Sequence, residues 1–398
     1  MRSSIMRLLR ALLIGFAAVA LALCYWQVLR APQLVARADN PRRIQAERQV
    51  QRGRLLDRNG AVLAHSLPRR DPDNKVVFQR HYVERAAAHL VGYYSLRYGT
   101  GGCEAVFDPI LRGERTLLQA LLHRPQRGAD VTLSAHLAAM RAADAALDGR
   151  TGALVALDIT NGEILAMVSH PSYDPNRLEA HWEDLVTDPA APLLNRATQG
   201  LYPVGDLARW VGLAGLLSAG ITTPPDPLSA SLEVLLAPLS RTGYLATAHQ
   251  LGFTHTPPIA LPANAGRLPD FDDKATERDL AVTPLHMARF AAATAGDGRM
   301  PALTLTPLAA SATPVTMERV FSERVARALR AITPTYDGVA GWAGVALPIE
   351  TGRDPLSWFV GYAPVREPQV AIAVVIEDTQ DRRAALSVAR HTLATLLP

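Results

Sequence analysis

Lysine is nearly missing from this 398-residue chain: Lys75 and Lys274 stand against 39 Arg. Cysteine is as scarce, with Cys24 inside an apolar N-terminal run and Cys103 far from it. Two such distant thiols build neither a disulfide framework nor a thiolate metal cluster, and Cys103 reads as a small buried hydrophobe. Gly-x-Ser-x-Gly and His-Glu-x-x-His do not occur, and the 11 His are scattered. That removes the signatures of a hydrolase elbow and a zinc protease; the scattered His read as packing or surface residues, and no metal or cofactor is expected. After the first 70 residues no basic patch interleaves with aromatics, so nucleic acid is not an expected partner.

What is present is an ordinary globular balance, 48% apolar and 20% charged, at a length that allows one large domain and a smaller one. The net charge of +4 conceals an asymmetry: residues 1–70 carry 13 Arg against Asp39, Glu47 and Asp57, an excess of +10, leaving about −6 for the rest. A basic stretch beside an apolar run reads as attraction to anionic headgroups. From Ala11 to Leu29 there are 19 uncharged residues, about 28 Å of helix and close to one bilayer core. Arg2, Arg7 and Arg10 precede the run and Tyr25 and Trp26 sit near its far end, which predicts a cytoplasmic N-terminus and a single-pass anchor. The rival, a signal peptide cleaved near Ala20-Leu21-Ala22, suits the run less well because the apolar stretch continues through the aromatics.

The expected organisation is a cytoplasmic tip and anchor over 1–30, a membrane-proximal stalk over 31–130 and a large domain over 131–398. Gly53 to Ala64 predicts a hairpin turning at Asp57-Arg58-Asn59-Gly60, and Gly99 to Gly102 a loop. Val131 to Leu147 reads as a strand end followed by a helix. Ala153–Asp158 and Glu163–Ser169 read as strands joined at Asn161-Gly162. Gly205 to Ser218 predicts a helix with Asp206 as N-cap. Thr283 and Pro284 open another helix as N-cap and first residue, closed by Gly296 and Gly298. Trp358–Ala363 and Val370–Glu377 read as strands, followed by a helix over Asp381–Leu396. The pattern predicts an α+β domain with helices flanking an antiparallel sheet.

Six segments, in order, resemble the class B penicillin-binding proteins, bitopic cell-wall transpeptidases. They are Arg52-Gly53-Arg54-Leu55-Leu56-Asp57-Arg58-Asn59-Gly60; Gly102-Cys103-Glu104-Ala105-Val106-Phe107 with Leu111-Arg112-Gly113; Asn161 to Asn176; Asn195 to Pro203; Val282 to Ala288; and Trp358 to Pro364. Each has a packing explanation, so together they speak for the fold rather than for activity. The resemblance implies a small membrane-proximal domain, a transpeptidase-like domain on the outer side of a bacterial cytoplasmic membrane, and peptidoglycan as the associated material.

Three motifs build the site in that family: Ser-x-x-Lys, in which Lys activates the Ser nucleophile; Ser-x-Asn; and Lys-Thr-Gly on an edge strand. After Tyr202-Pro203-Val204-Gly205 the first reads Asp206-Leu207-Ala208-Arg209. A carboxylate stands for the nucleophile, and Arg does not give up its proton to act as a base. The best counterpart of the second motif is Ser240-Arg241-Thr242. The third reads Trp342-Ala343-Gly344, an indole and a methyl where a cation and a hydroxyl belong. No shift of register recovers the chemistry, because neither Lys closes a Ser-x-x-Lys or opens a Lys-Thr-Gly, and Ser-x-Asn and Tyr-x-Asn are absent. Asp206 and Arg209, three apart, are expected to form a local ion pair filling the old pocket, with Trp342 covering the former carboxylate site. The resemblance then implies a catalytically inactive scaffold or regulator partnered with a polytopic glycan polymerase. The alternatives are an active D,D-transpeptidase with a remodelled site and an envelope structural protein unrelated to peptidoglycan.

Overall fold

The computed structural model describes residues 2–26, 41–114, 125–221, 226–269, 276–308, 317–347 and 355–397. Lys274 and residues 27–40 of the expected anchor and stalk lie outside the described residues. Two compact units form: Met1–Gln51 with Leu67–Gln79 and Arg115–Gln126, and Arg52–Ser66 with Arg80–Glu114 and Arg127–Pro398.

In the first unit, α1 runs over Arg2–Cys24 and α2 over Pro41–Arg48. The membrane-crossing helix expected over Ala11–Leu29 is not found: no helix among the described residues is long and apolar enough to cross a membrane. α1 begins at Arg2 and carries Arg7 and Arg10; its uncharged part, residues 11–24, measures about 21 Å against the roughly 30 Å of a bilayer core, and residues 27–29 of the expected run lie outside the described residues. Its side chains at Leu12, Leu13, Ile14, Phe16, Val19 and Leu21 are exposed.

The second unit starts with the expected hairpin. β1 (Leu55–Leu56) pairs antiparallel with β2 (Val62–Arg70), Leu55 opposite Ala64, and parallel with β3 (Val131–Thr132). Asp57 organises the turn: its Oδ1 accepts the amides of Asn59 and Ala61, both at 2.8 Å, and its Oδ2 that of Leu137 at 3.2 Å, the first residue of α3 (Leu137–Leu147). Gly99–Gly102 is not the open loop expected, since Gly99–Gly101 pairs with Tyr93–Ser95 and Gly102 opens a short helix. A backbone without side chains serves there: a Cβ on Gly102 would lie 2.6 Å from the Gly92 backbone.

Beneath that hairpin lies a buried ionic network that joins two of the sequence boxes. Glu104 is fully buried and receives Arg80 Nε at 2.5 Å and Arg52 Nη2 at 3.0 Å. Arg52 also reaches Asp108 at 2.6 Å and lies over the Tyr94 ring at 4.1 Å, while Arg80 Nη1 donates to the Gly53 carbonyl at 2.7 Å. Buried charges persist only when paired and hydrogen-bonded, so Arg52-Gly53 and Gly102-Cys103-Glu104 are two halves of one packing contact. Cys103 is buried, as read from the sequence, and burial pushes its thiol up.

The main sheet has six strands in the order β6 (Thr335–Tyr336), β7 (Val339–Ala346), β8 (Leu356–Ala363), β9 (Val370–Ile376), β4 (Gly152–Asp158), β5 (Ile164–His170), antiparallel throughout. The β4–β5 hairpin turns at Gly162 with φ +71°, a conformation glycine adopts freely. β8 and β9 are buried at every position, which is why Val370 to Ile376 is apolar without alternation. α3 and α9 (Ala384–Leu396) cover one face and α7 (Pro284–Ala295) the other, the α+β arrangement expected. Also helical are α4 (Ala208–Ser218), α5 (Leu232–Leu236), α6 (Arg241–Gln250) and α8 (Glu323–Ile332).

α7 is the central helix, and its start is over-determined. Thr283 Oγ1 accepts the His286 amide while His286 Nδ1 accepts the Thr283 amide, each at 3.3 Å. Pro284 at the first position lacks the amide that no partner would need. His286 Nε2 donates to the His255 carbonyl at 2.9 Å, and burial pushes the imidazole down to about 4. This fixes a neutral tautomer, with the proton on Nε2.

Candidate functional site

Asp206 lies in a single 3-10 turn, Gly205–Leu207, that feeds α4. The turn is pressed against β7. Gly205 has φ +54°, and a Cβ on it would sit 2.5 Å from that of Ala346; a Cβ on Gly344 would sit 2.8 Å from that of Asp206. Asp206 and Gly344, 138 residues apart in the chain, therefore meet because Gly205, Gly344 and Ala346 carry little or no side chain.

The carboxylate of Asp206 does not cap α4; no side-chain cap bond is made at the start of the turn or of the helix. It faces the sheet instead. Oδ1 pairs with Arg278 Nη1 at 3.3 Å, Oδ2 with Arg382 Nη2 at 2.7 Å, and Oδ2 also accepts the Val345 amide at 3.3 Å. The expected Asp206–Arg209 ion pair is not formed. Arg209 Nη1 donates to the Pro227 carbonyl at 2.8 Å, and its guanidinium feels Asp206 only through space. Burial lowers the Arg209 pKa and Asp206 raises it; an Arg stays protonated under either influence. The local pair fails because the two distant guanidinia approach from the strand side, where the carboxylate already points.

Trp342 does not form a lid over open surface. It is 7% exposed, and its indole stacks on that of Trp210 in α4, centroids 6.2 Å apart and planes at 23°. Trp210 in turn lies 4.5 Å from Phe290 of α7. The residue expected at the motif's cation position packs into the core. The indole N–H groups of Trp210 and Trp342 are both buried with no partner among the described residues, a cost of about 1–3 kcal/mol each carried by the packing around them. Ala343 is half-buried and contributes no polar group.

Ser240 and Thr242 are not brought to Asp206. Ser240 is the N-cap of α6, its Oγ accepting the Gly243 amide at 3.1 Å and lying 2.8 Å from Thr242 Oγ1. Both are exposed and held in a local helix start.

Arg278 and Arg382 were not picked out of the sequence. They belong to an Arg-rich background without a motif, and nothing local marks them. Arg278 sits in a 3-10 turn, Glu277–Asp279, closed by a Thr276–Asp279 capping box; Arg382 lies between β9 and α9. Chemically, Asp206 is a carboxylate saturated with cations, and Arg209 is a cation that cannot accept a proton. The pair lacks the hydroxyl and base that acyl transfer through a serine needs.

A family model described as the penicillin binding protein transpeptidase domain matches residues 152–226 and 238–397. The chain belongs to the penicillin-binding protein transpeptidase family. A second model, the penicillin binding protein A dimerisation domain, matches residues 52–131. The peptidoglycan D,D-transpeptidase PbpA of Mycolicibacterium smegmatis is 30% identical over an alignment 492 positions long, covering 100% of this chain and 99% of that protein. The peptidoglycan D,D-transpeptidase MrdA of Escherichia coli is 35% identical over 150 residues, 35% of this chain and 23% of MrdA. Among solved structures, the imipenem acyl-enzyme complex of penicillin-binding protein A from M. tuberculosis has a TM-score of 0.77 at 28% identity, covering 88% of this chain and 99% of that one. This homology links the chain to peptidoglycan synthesis. The transpeptidase match breaks over 227–237, just before the Ser240 candidate.

Proposed function

We propose that this family member has given up acylation and serves as a scaffold or regulator of peptidoglycan synthesis at the bacterial cytoplasmic membrane. The observation that carries the reading is Asp206, which occupies the turn before α4 and is tied to Arg278, Arg382 and the Val345 amide. The family's nucleophile belongs at that position, and a carboxylate so engaged is neither a serine nor free. Trp342 supports the reading from the other wall, since an indole stacked on Trp210 supplies no cation to a substrate carboxylate. The vestigial positions are Asp206, Arg209, Ser240, Thr242, Trp342, Ala343 and Gly344.

In this reading the apolar surface of α1 lies in a membrane and the second unit is extracytoplasmic. The partner is a polytopic glycan polymerase, by analogy with the family's use of its anchor and membrane-proximal parts. The relatives' names favour a second reading, an active D,D-transpeptidase with a remodelled site. Fluorescent penicillin labelling separates the two, with penicillin-binding protein A of M. tuberculosis, which forms a penicillin G acyl-enzyme, as control. The expected result is no covalent adduct on this chain. A stoichiometric adduct mapped to one Ser refutes the inactive reading and names the nucleophile.

A further inference from the structure

The surroundings of Asp206 hold more positive charge than one carboxylate neutralises. Arg278 and Arg382 touch it, Arg209 lies in the field of both Asp206 and Asp226, and the three come from the Glu277–Asp279 turn, the β9–α9 connection and α4. β7 adds a backbone donor. Its β8 side is fully paired, from Ala340 opposite Tyr362 to Ala346 opposite Leu356, but β6 pairs only with Val339 and Ala340. The Val345 amide on the open side is therefore left for a side chain, and Asp206 Oδ2 takes it. Two guanidinia and an amide converging on one pair of oxygens are what a bound oxyanion receives. The Asp206 side chain is 23% exposed, so small solutes reach the place.

We propose that Arg278, Arg382 and the Val345 N–H form an oxyanion seat that the chain fills with its own Asp206 carboxylate, and that an external carboxylate enters when that side chain is shortened. Asp206 acts as a tethered ligand. While it is in place the seat is closed to free carboxylates, including a peptide C-terminus, because the tether gives the internal group a high effective concentration. The proposal rests on the reading that position 206 is not a working nucleophile.

The geometry sets the size of the ligand. Asp206→Ala removes the carboxylate alone and leaves room for formate. Asp206→Gly removes the methylene as well and leaves room for acetate. The test is the thermal unfolding midpoint of the full chain in detergent, in sodium formate or acetate against sodium chloride of equal ionic strength. The expected result is a saturable rise of about 2–4 °C for D206A with formate exceeding acetate, and the reverse order for D206G. Wild type and the D206A/R382Q double variant should show no anion-specific rise. Equal responses in wild type and variants, or no difference from chloride in either variant, overturn the proposal.

Should both shortened variants fail to fold, D206N keeps the shape without the charge. With Arg278 and Arg382 no longer neutralised, its midpoint should climb more steeply with salt than that of wild type; equal salt slopes overturn the proposal. Penicillin labelling of a serine would remove the inactive reading, whereas the absence of anion-specific shifts removes only the seat.

Discussion

Replacing Glu104 by Ala should be among the most damaging single changes outside the sheet. Glu104 has no exposed surface, and its two oxygens hold Arg80 at 2.5 Å and Arg52 at 3.0 Å. After the change Arg52 keeps Asp108 at 2.6 Å, a partner 38% exposed. Among the described residues Arg80, 2% exposed, keeps the neutral Gly53 carbonyl as its hydrogen-bond partner and feels the Asp130 carboxylate only through space. Stranding one buried charge in this way costs about 3–5 kcal/mol, or about 6–20 °C in midpoint for a domain of this size. Chemical denaturation of Glu104→Ala, Arg80→Ala and the double variant measures the coupling. If the reasoning holds, the double variant is much less damaged than the sum of the singles, with a coupling of about 2 kcal/mol or more. A loss below about 1 kcal/mol for Glu104→Ala, or simple additivity, refutes the view that Glu104 clamps the two boxes together.

Stability should also fall on acidification. His89 and His286 are both buried and both held down to about 4. The folded state keeps them neutral while the unfolded chain takes up protons below its ordinary value near 6.5. Stability from each is intact above pH 6.5 and lost between pH 6.5 and 4, at about 1.4 kcal/mol per pH unit; unfolding midpoints across that window check it, and His286→Gln should flatten the slope. Trp342→Ala should cost about 3–5 kcal/mol by emptying the space beside Trp210, read by denaturation with the loss of Trp–Trp coupling in near-ultraviolet circular dichroism. Gly344→Ala should destabilise by about 1–3 kcal/mol, because its Cβ would lie 2.8 Å from that of Asp206. If the proposed inactive reading holds, the double variant Asp206→Ser with Arg209→Lys should remain unlabelled by fluorescent penicillin, since that reading puts the indole of Trp342 where the third motif needs a cation; labelling of that variant would refute the part given to Trp342.

Legibility divided along a physical line. The β4–β5 hairpin could be read because Asn161-Gly162 supplies the positive φ its turn requires, and α7 because Thr283 and Pro284 satisfy its first amides locally. That neither Lys closes a Ser-x-x-Lys could also be read, since residue type alone decides whether a hydroxyl and a base are present. Where Asp206 points could not. The sequence suggested Arg209 because helical neighbours three apart are the only contacts a one-dimensional reading supplies, and the N-cap reading failed for the same reason.

The amino-acid sequence by itself determined the family resemblance, the turns at Asp57–Gly60 and Asn161-Gly162, the start of the central helix and the absence of any Ser-x-x-Lys. These follow from backbone dihedrals, capping and functional groups, all properties of short stretches of chain. Only the tertiary structure decided that Arg278 and Arg382 claim Asp206, that Trp342 turns inward onto Trp210, that Arg52 and Arg80 share Glu104, and that Ser240 serves a helix start. Each is a contact between segments far apart in the chain, where the strength of a charge or an aromatic ring depends on distance and burial, and neither is set until the elements pack.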